Sequence, residues 1–384
     1  MNTSRRASRL QKRRMRRKKL ILRIVGRTCL SLVSVLAVLA IGLYAALALL
    51  CHGPSPTAGD IFVATVMETS ALKFLARVYY SPAEIEEIRG RNGLVQGAEE
   101  TDTSLIVFAQ PTAAATEPAP EAGGATPPGG EAAGGASSAG QGEAPQATAK
   151  EDSGIQIVDV KGETFFGYLM IVKDPSRVFV GLSSDGFSGK TSGKTLSEMV
   201  KHYKAVGGVN GGAFDDPGGM GNGGTPDGIV ISEGKVRWRS VRNNELCTTL
   251  IGMTNDNKLF ITDKLDAKAA QDKGIRDAVT FGPALIVNGE PASVKGVSSG
   301  LNPRTCIGQR ADGAILLLMI NGRRPNSLGA TLTDLIDIMM EYGAVNAANL
   351  DGGASSSMYY DGDYLNPNAT AIGIRDMPTT FLVR

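Results

Sequence analysis

The sequence predicts an α+β domain, in which helices flank a mixed, largely antiparallel sheet, preceded by a single transmembrane helix and a disordered linker. Three observations predict this class. Strand-like segments and turn sequences alternate from about residue 154 onward. Two capped amphipathic helices interrupt those segments. Residues 28–50 carry no charged side chain, and at about 1.5 Å per residue they can cross a hydrocarbon core of about 30 Å.

The composition is that of a globular protein whose charge is unevenly distributed. The 384 residues are 42% hydrophobic, enough for one or two domains with apolar cores. Residues 1–27 hold 12 of the 40 Lys and Arg and no acidic residue, so the rest of the chain carries 28 basic against 38 acidic residues, a net charge of −10. A nucleic-acid-binding domain would carry basic charge on its folded body, so we expect no nucleic-acid partner.

The N-terminal segments predict a membrane anchor. A signal peptide has an apolar region of only about 7–15 residues, so the longer run at 28–50 favours an uncleaved transmembrane helix. The basic arm at 1–27 predicts that the N-terminus stays in the cytoplasm and that the rest of the chain is extracellular. We therefore expect a single-pass protein of the cell membrane.

Two further segments separate this anchor from the main domain. Residues 51–108 predict a helical stalk, because Ser81, Pro82 and Glu84 combine an N-cap, a first-position proline and a capping box. Residues 109–153 consist mainly of Ala, Gly, Pro, Glu, Ser and Thr, a composition that cannot bury enough apolar surface to fold. We expect a disordered linker there.

Residues 154–384 predict the main domain. Its strand-like segments are Gln156–Val160, Phe165–Val172, Arg177–Leu182, Gly228–Ser232, Lys235–Trp238, Leu285–Val287 and Ala314–Ile320. The last is continuously apolar, as is typical of a central strand buried on both faces. Tight turns are predicted at Glu233-Gly234 and Asn288-Gly289.

The two predicted helices begin at capping boxes. Thr195 with Glu198 starts the first, and we expect it to end at Gly207. Thr331 with Asp334 starts the second, which we expect to end at Gly343.

Each helix is followed by a short strand and a glycine-rich turn that carries one polar side chain. These turns are Asn210-Gly211-Gly212 and Asp351-Gly352-Gly353. Glycines let the backbone bend sharply and let a ligand approach main-chain N–H groups. A single copy of such a motif would be interpreted as an ordinary turn. Because two copies follow matching helix–strand units, a shared ligand-binding site is as good an interpretation as two ordinary turns.

Arg304, in an Asn-Pro-Arg-Thr segment, has the planar fork that suits bidentate binding of phosphate or carboxylate, although an ordinary ion-paired arginine is the more common case. The chain has only two histidines, so a multi-histidine zinc site is excluded, and His202 is expected on a helix face. The sequence is compatible with a Cys247–Cys306 disulfide. It is also compatible with a Ca²⁺ or Mg²⁺ site, for which the candidate ligands are Asp215, Asp216 and Asp227.

The stretch from about Val206 to Arg384 resembles the phosphodiester glycosidase family. Its matching segments, in the family's order, are Asn210–Phe214, Gly228 with Glu233–Lys235, Phe281–Leu285 with Asn288-Gly289, Asn302–Gly308, Asp312-Gly313 and Asn346–Ser356. Each match is weak alone, but their order over about 150 residues is specific. Ala213 and Ala354 depart from the family's pattern without removing a polar group.

The resemblance implies hydrolysis of a sugar-1-phosphodiester to a free sugar and a phosphomonoester. Asp351 is the best candidate for the first catalytic carboxylate, as nucleophile or as general acid or base. Asp215, Asp216 and Asp227 are the candidates for the second. The substrate-binding residues that the resemblance implies are Asn210, Gly211, Gly212, Arg304, Gly352, Gly353, Ser355 and Ser356. We expect Asn210, Arg304 and Asp351 to converge on one anion pocket.

Two functions from different classes follow. The first is a membrane-anchored extracellular hydrolase that acts on phosphodiester-linked sugars in cell-envelope or exported polysaccharide. The alternative is a non-catalytic glycan-binding module of the cell surface on the same fold. The sequence establishes no cofactor for either function, and it is compatible with a bound divalent cation.

Overall fold

The computed structural model describes most of the chain outside the predicted linker. The described residues are 2–69, 72–95, 100–108, 150–152, 154–188, 191–217, 222–240, 249–264, 266–366 and 373–384. Most of the segment predicted as a disordered linker, 109–149 with residue 153, lies outside them.

The described residues include helices in two groups, one before and one after the segment predicted as a linker. The first group comprises α1 (Asn2–His52), α2 (Pro56–Met67), α3 (Lys73–Tyr79) and α4 (Pro82–Arg91). The second comprises α5 (Leu196–Tyr203), α6 (Ala267–Asp272) and α7 (Leu332–Glu341).

All the described strands follow the first group of helices. The first ten are β1 (Gly93–Val95), β2 (Lys150–Asp152), β3 (Ile155–Lys161), β4 (Phe166–Val172), β5 (Val178–Leu182), β6 (Gly207–Asn210), β7 (Ile229–Ser232), β8 (Lys235–Arg239), β9 (Thr249–Thr254) and β10 (Leu259–Thr262). The others are β11 (Ile275–Phe281), β12 (Ala284–Val287), β13 (Glu290–Pro291), β14 (Ser293–Lys295), β15 (Arg304–Arg310), β16 (Ile315–Ile320), β17 (Ala344–Leu350), β18 (Met358–Tyr360), β19 (Asp363–Tyr364) and β20 (Thr379–Val383).

These strands form three larger sheets and one two-stranded ribbon. The largest sheet has the order β13-β12-β17-β15-β16-β4-β3-β2, and the two five-stranded sheets run β10-β9-β11-β7-β8 and β19-β18-β6-β20-β5. Among the described residues every strand pairing is antiparallel. The predicted α+β class with a largely antiparallel sheet is therefore confirmed.

The hydrophobic core lies where the three sheets meet. Side chains from all three, among them Met170, Val209 and Ile251, form one buried cluster. The predicted central strand corresponds to β16, which is buried along its whole length between β15 and β4. A second cluster packs α7 against the outer face of the large sheet, and a third packs beneath α5.

The predicted capping boxes are present at Ser81, Thr195 and Thr331. Gly343 follows α7 with a left-handed φ of 77°, as expected for a helix stop. The predicted end of α5 at Gly207 is wrong. That helix ends at Tyr203 because Lys204 adopts the left-handed conformation, and its N–H caps the last turn. Gly207 begins β6 instead.

The N-terminal helices form a unit that contacts the sheets. Within α1, Ile21–His52 is long and apolar enough to cross a membrane, with a mean hydropathy of 2.6 in its most apolar window. Helices α2, α3 and α4 share a small core that includes Val63, Ala76 and Ile85. Strand β1, which follows α4, pairs with β14, so the predicted stalk is joined to the main domain by backbone hydrogen bonds.

Candidate active site

The two glycine-rich turns touch one another. Strand β6 ends at Asn210 in one sheet, and β17 ends at Leu350 in another, so each turn leaves the end of its sheet. The N–H of Asp351 donates to the carbonyl of Gly211 at 3.1 Å. The side-chain amide of Asn210 donates to the carbonyl of Asp351 at 2.6 Å. The structure therefore brings the two predicted turns into one junction.

Glycine is required in these turns for space as well as for backbone bending. A Cβ at Gly212 would lie 2.8 Å from the carbonyl oxygen of Thr280. Gly353 has a left-handed φ of 61°, and its Cβ would lie 3.0 Å from the guanidinium of Arg323. A side chain at either position would displace backbone or a neighbouring charged group.

Asn210 connects three elements beneath the junction. Besides its bond to Asp351, its amide oxygen accepts hydrogen bonds from the Thr305 hydroxyl at 2.8 Å and the Ser357 N–H at 3.1 Å. Asn210 is 1% exposed and Thr305 is fully buried. Since its oxygen already accepts two hydrogen bonds and its side chain is buried, Asn210 has a structural role in which it connects the two turns.

Asp351 is the carboxylate at the junction, and it is partly exposed. Its carboxyl accepts hydrogen bonds from the N–H of Gly352 and from Ser355. Burial raises the pKa of Asp351 from 3.8 to about 6, against the opposing effect of these two hydrogen bonds. The negative charge of Asp216 raises the pKa of Asp351 further, and the positive charge of Arg375 lowers it.

Asp216 and Arg375 form an ion pair beside Asp351. The two side chains are 2.7 Å apart, and only 8% of the Arg375 side chain is exposed. The guanidinium of Arg375 also lies over the ring of Phe214, 5.6 Å from its centroid. Because both charges affect the pKa of Asp351, a second carboxylate and a fixed cation lie within electrostatic range of the junction.

A small cavity opens next to this group. It is lined by Ala354, Ser355, Ser356, Ser357, Tyr364, Asn366, Gly373, Ile374 and Arg375. Ser356 is 3% exposed, and among the described residues its hydroxyl has no hydrogen-bond partner. A buried hydroxyl without a partner beside a cavity is available to bind a ligand's polar group. Ser355 and Ser356, both predicted from the sequence, therefore lie beside the carboxylates.

The Arg304 guanidinium is engaged elsewhere. It donates to Glu68 at 2.6 Å, to the Ser299 hydroxyl at 2.9 Å and to the Ala330 carbonyl at 3.2 Å. Successive strand residues point to opposite sheet faces. Since the next residue in β15, Thr305, points to Asn210, Arg304 points away from it. Of the three residues expected to converge, Asn210 and Asp351 lie together. Arg304 instead binds the N-terminal helical unit.

A second arginine, Arg323, connects these two regions. It donates to the side-chain oxygen of Asn302 at 3.2 Å, and Asn302 donates to Glu68 at 2.9 Å. Burial and the like charge of Arg304 lower the pKa of Arg323, while the charges of Glu68 and Asp351 raise it. Arg323 therefore lies within electrostatic reach of Asp351.

Sequence reasoning missed both Arg323 and Arg375. Arg323 follows Asn321-Gly322, directly after β16, and has a left-handed φ of 56°. Arg375 follows Gly373 shortly before the last strand. Neither lies in a motif that marks a binding residue, and only their position after turns near strand ends could have drawn attention to them.

The other predicted candidates serve the fold or point elsewhere. Asp227 is 5% exposed, and it accepts hydrogen bonds from the Ser240 hydroxyl at 2.9 Å and the Gly228 N–H at 3.0 Å. His202 is exposed on α5, with its ring against Tyr203. Cys306 is a buried free thiol whose pKa is raised by burial, and Cys247 lies outside the described residues.

The acidic residues do not form a cation site in the part of the chain that the structure describes. There, no group of three or more His, Cys, Asp or Glu side chains comes close enough to hold a metal ion. Asp216 is paired with Arg375, and Asp227 is bonded to Ser240.

Comparison with known proteins identifies the part of the chain that carries this site. Residues 203–384 match the family model described as phosphodiester glycosidase. Both glycine-rich turns, Asp216, Arg304 and Arg375 lie within that range. The resemblance drawn from the motifs is thereby confirmed.

Individual relatives are distant. The SPbeta prophage-derived uncharacterized protein YomE of Bacillus subtilis (strain 168) is 27% identical over 187 residues, which cover 48% of this chain and 28% of that protein. This chain thus spans little more than a quarter of its length. The solved catalytic domain of zebrafish N-acetylglucosamine-1-phosphodiester alpha-N-acetylglucosaminidase, auto-inhibited by its pro-peptide, is 20% identical, with a TM-score of 0.47, covering 62% of this chain and 87% of that one. A hypothetical protein from Synechocystis is 17% identical, with a TM-score of 0.43, covering 63% and 64%.

Proposed function

Because residues 203–384 match the phosphodiester glycosidases, we propose that this protein hydrolyses sugar-1-phosphodiesters at the junction of its two glycine-rich turns. The observation that carries the proposal is the group formed there by Asp351, Asp216 and Arg375 beside a small cavity. Two carboxyl groups are what glycoside hydrolysis ordinarily needs, and a guanidinium suits the phosphodiester anion.

In this mechanism Asp351 acts as the base. It accepts a proton from water as the water oxygen bonds to the sugar's C1. The bond between C1 and the bridging oxygen breaks, and its electron pair stays on that oxygen, which remains bonded to phosphorus. The products are the free sugar and a phosphomonoester, and Asp351 then releases its proton to solvent. A phosphomonoester ionises near pH 6 and leaves with little help from an acid, so a base is the group most needed. With a pKa of about 6, Asp351 is mostly ionised at neutral pH.

The remaining groups stabilise charge. Arg375 binds the phosphodiester anion and neutralises the charge that builds up on the leaving phosphate. Asp216, held by Arg375, supports the positive charge that develops at C1. Ser356 donates its hydrogen bond to the substrate in the cavity. Arg323 adds positive potential at Asp351. Arg304, implied by the family resemblance, supports the loop that carries Asn302.

The location of the reaction is the second part of the proposal. The apolar part of α1 anchors the chain in the cell membrane, and the basic arm before it keeps the N-terminus in the cytoplasm. The catalytic domain is then extracellular, where phosphodiester-linked sugars of the cell envelope or of exported polysaccharide are its substrates.

The full chain, purified in detergent, tests the activity with a panel of sugar-1-phosphodiesters. We expect release of free sugar and phosphomonoester in equal amounts, and a loss of at least about 100-fold for Asp351→Asn. The matched control is Asp272→Asn on α6, an exposed aspartate paired with Lys268, which should keep full activity. If wild-type protein binds glycans but releases neither product, the protein is a glycan-binding module.

A further inference from the structure

Helix α3 exposes apolar side chains on a short segment outside the sheets. Phe74 is 60% exposed, Val78 is 51% exposed, and Leu72, directly before the helix, is 41% exposed. Phe74 and Val78 are four residues apart, so they lie on the same side of the helix. These three residues form what we call the apolar patch of α3. Large side chains grouped in this way on a surface mark an interaction site.

The position of α3 indicates what covers the patch. Tyr79, at the end of α3, stacks on Tyr44 of α1 with ring centroids 5.4 Å apart. Its hydroxyl also donates to the Tyr44 carbonyl at 3.3 Å. Tyr44 lies within the apolar run at 28–50, about 12 Å along the helix axis before His52, at about 1.5 Å per residue. Helix α3 is therefore packed beside the apolar surface of α1.

The surface of α1 at this level is itself apolar and exposed. Leu43 is 63% exposed and Leu49 is 70% exposed. The apolar patch of α3 therefore belongs to a helix that packs against a segment with the length and composition of a membrane span. Tyr44 lies in the last third of this apolar run, toward the end from which α2 follows, and tyrosines are enriched near the ends of membrane spans.

The charges of α3 fit the same environment. Lys73 and Arg77 are exposed and four residues apart, and each lies next to a residue of the patch. Cationic side chains with flexible stems reach the phosphate headgroups while neighbouring apolar side chains enter the acyl region. A short helix with both features beside a membrane span fits a phospholipid surface better than a protein partner.

We propose that α3 lies in the bilayer interface next to α1, with Leu72, Phe74 and Val78 inserted among the acyl chains and Lys73 and Arg77 at the headgroup phosphates. This inference rests on the proposed membrane anchoring by α1. It adds a second attachment, which fixes the orientation of the body relative to the membrane, because α2 connects the same helical unit to the Arg304 loop.

Tryptophan fluorescence in liposomes tests the insertion. The full chain contains one tryptophan, Trp238, which Trp238→Phe removes. In that background Phe74→Trp places a fluorophore in the patch, and Met340→Trp on α7, which is 41% exposed, provides the control. Both proteins are reconstituted into phosphatidylcholine–phosphatidylglycerol vesicles with and without lipids brominated near the headgroup end of their acyl chains. We expect bromine to quench the Phe74→Trp emission by about half and to leave the control unchanged.

Flotation of the same vesicles separates the two proposals. If the protein does not float with the lipid, anchoring by α1 and insertion of α3 both fail. If it floats but the Phe74→Trp emission is unquenched, anchoring stands and the insertion of α3 is overturned. Equal quenching of the Met340→Trp control would also overturn the assignment, because the body as a whole would then lie on the bilayer.

Discussion

At Asp351, burial and the charge of Asp216 favour the protonated carboxyl, while Ser355, Gly352 and Arg375 favour the ionised one. Burial and the charge of Asp216 together outweigh the other three influences, so the pKa of Asp351 rises to about 6. A base with this pKa must be ionised to work. We therefore predict that kcat/KM falls about tenfold per pH unit below about pH 6 and is level above it. A profile for wild-type protein that is flat down to pH 4.5 would contradict the assignment of Asp351 as the base.

The same raised pKa makes Asp351 costly for the fold. A carboxyl whose folded pKa exceeds its unfolded value binds an extra proton in the folded state between about pH 4 and 6, so stability is lost as pH rises through that window. The shift from 3.8 to about 6 corresponds to about 3 kcal/mol, and solvent at the cavity reduces this to about 1–2 kcal/mol. We predict that Asp351→Asn raises the Tm at pH 7.5 and leaves it unchanged at pH 4. A lower Tm at pH 7.5 would show that the carboxylate stabilises the junction.

The sequence was informative about single residues where a motif marks them. Asp351, Ser355 and Ser356 were predicted from their turn; in the structure Ser355 and Ser356 line one cavity, and Ser355 is hydrogen-bonded to Asp351. Arg304 was expected in that group because it lies in the Asn-Pro-Arg-Thr motif, but the alternation of β15 turns its side chain to the opposite face from Thr305. Arg375 and Arg323 reach Asp351 only through tertiary packing, which no local pattern encodes.

At the scale of elements, the junction depends on how β6, β15 and β17 are held together. Asn210 makes three hydrogen bonds, to Asp351, Thr305 and Ser357, and none of them is exposed to competing water. We predict that Asn210→Ala destabilises the protein by about 3 kcal/mol, because it leaves several buried polar groups unpaired. Thr305→Val, which removes one of these bonds, should cost about 1 kcal/mol. Equal losses for the two variants in thermal unfolding would contradict this role of Asn210.

Element boundaries were predicted well where capping chemistry is local. The Thr195 and Thr331 boxes start α5 and α7 as expected, because the cap and its partner are three residues apart. The end of α5 was misplaced because Lys204, not a glycine, takes the left-handed conformation. The division of the strands among three sheets could not be predicted, since it depends on contacts between segments distant in the sequence.

At the scale of the whole molecule, Glu68 joins the N-terminal helices to the sheets of the main domain. It accepts hydrogen bonds from Arg304, from Asn302 and from the Gly300 N–H. Glu68→Ala leaves the guanidinium of Arg304, which is 7% exposed, without its carboxylate partner. We predict a loss of about 3 kcal/mol in the free energy of unfolding, measured by denaturant unfolding. Glu86→Ala, whose side chain is 68% exposed in its pair with Arg89, should cost less than about 0.5 kcal/mol.

The central claim, that this junction breaks the bond between a sugar's C1 and the phosphoryl oxygen, is tested most directly by hydrolysis in ¹⁸O-labelled water. Phosphorus NMR and mass spectrometry of the products then locate the label. The proposed mechanism places ¹⁸O in the released sugar and leaves the phosphomonoester unlabelled. Label in the phosphomonoester would mean that water attacks phosphorus, and it would contradict the glycosidase mechanism.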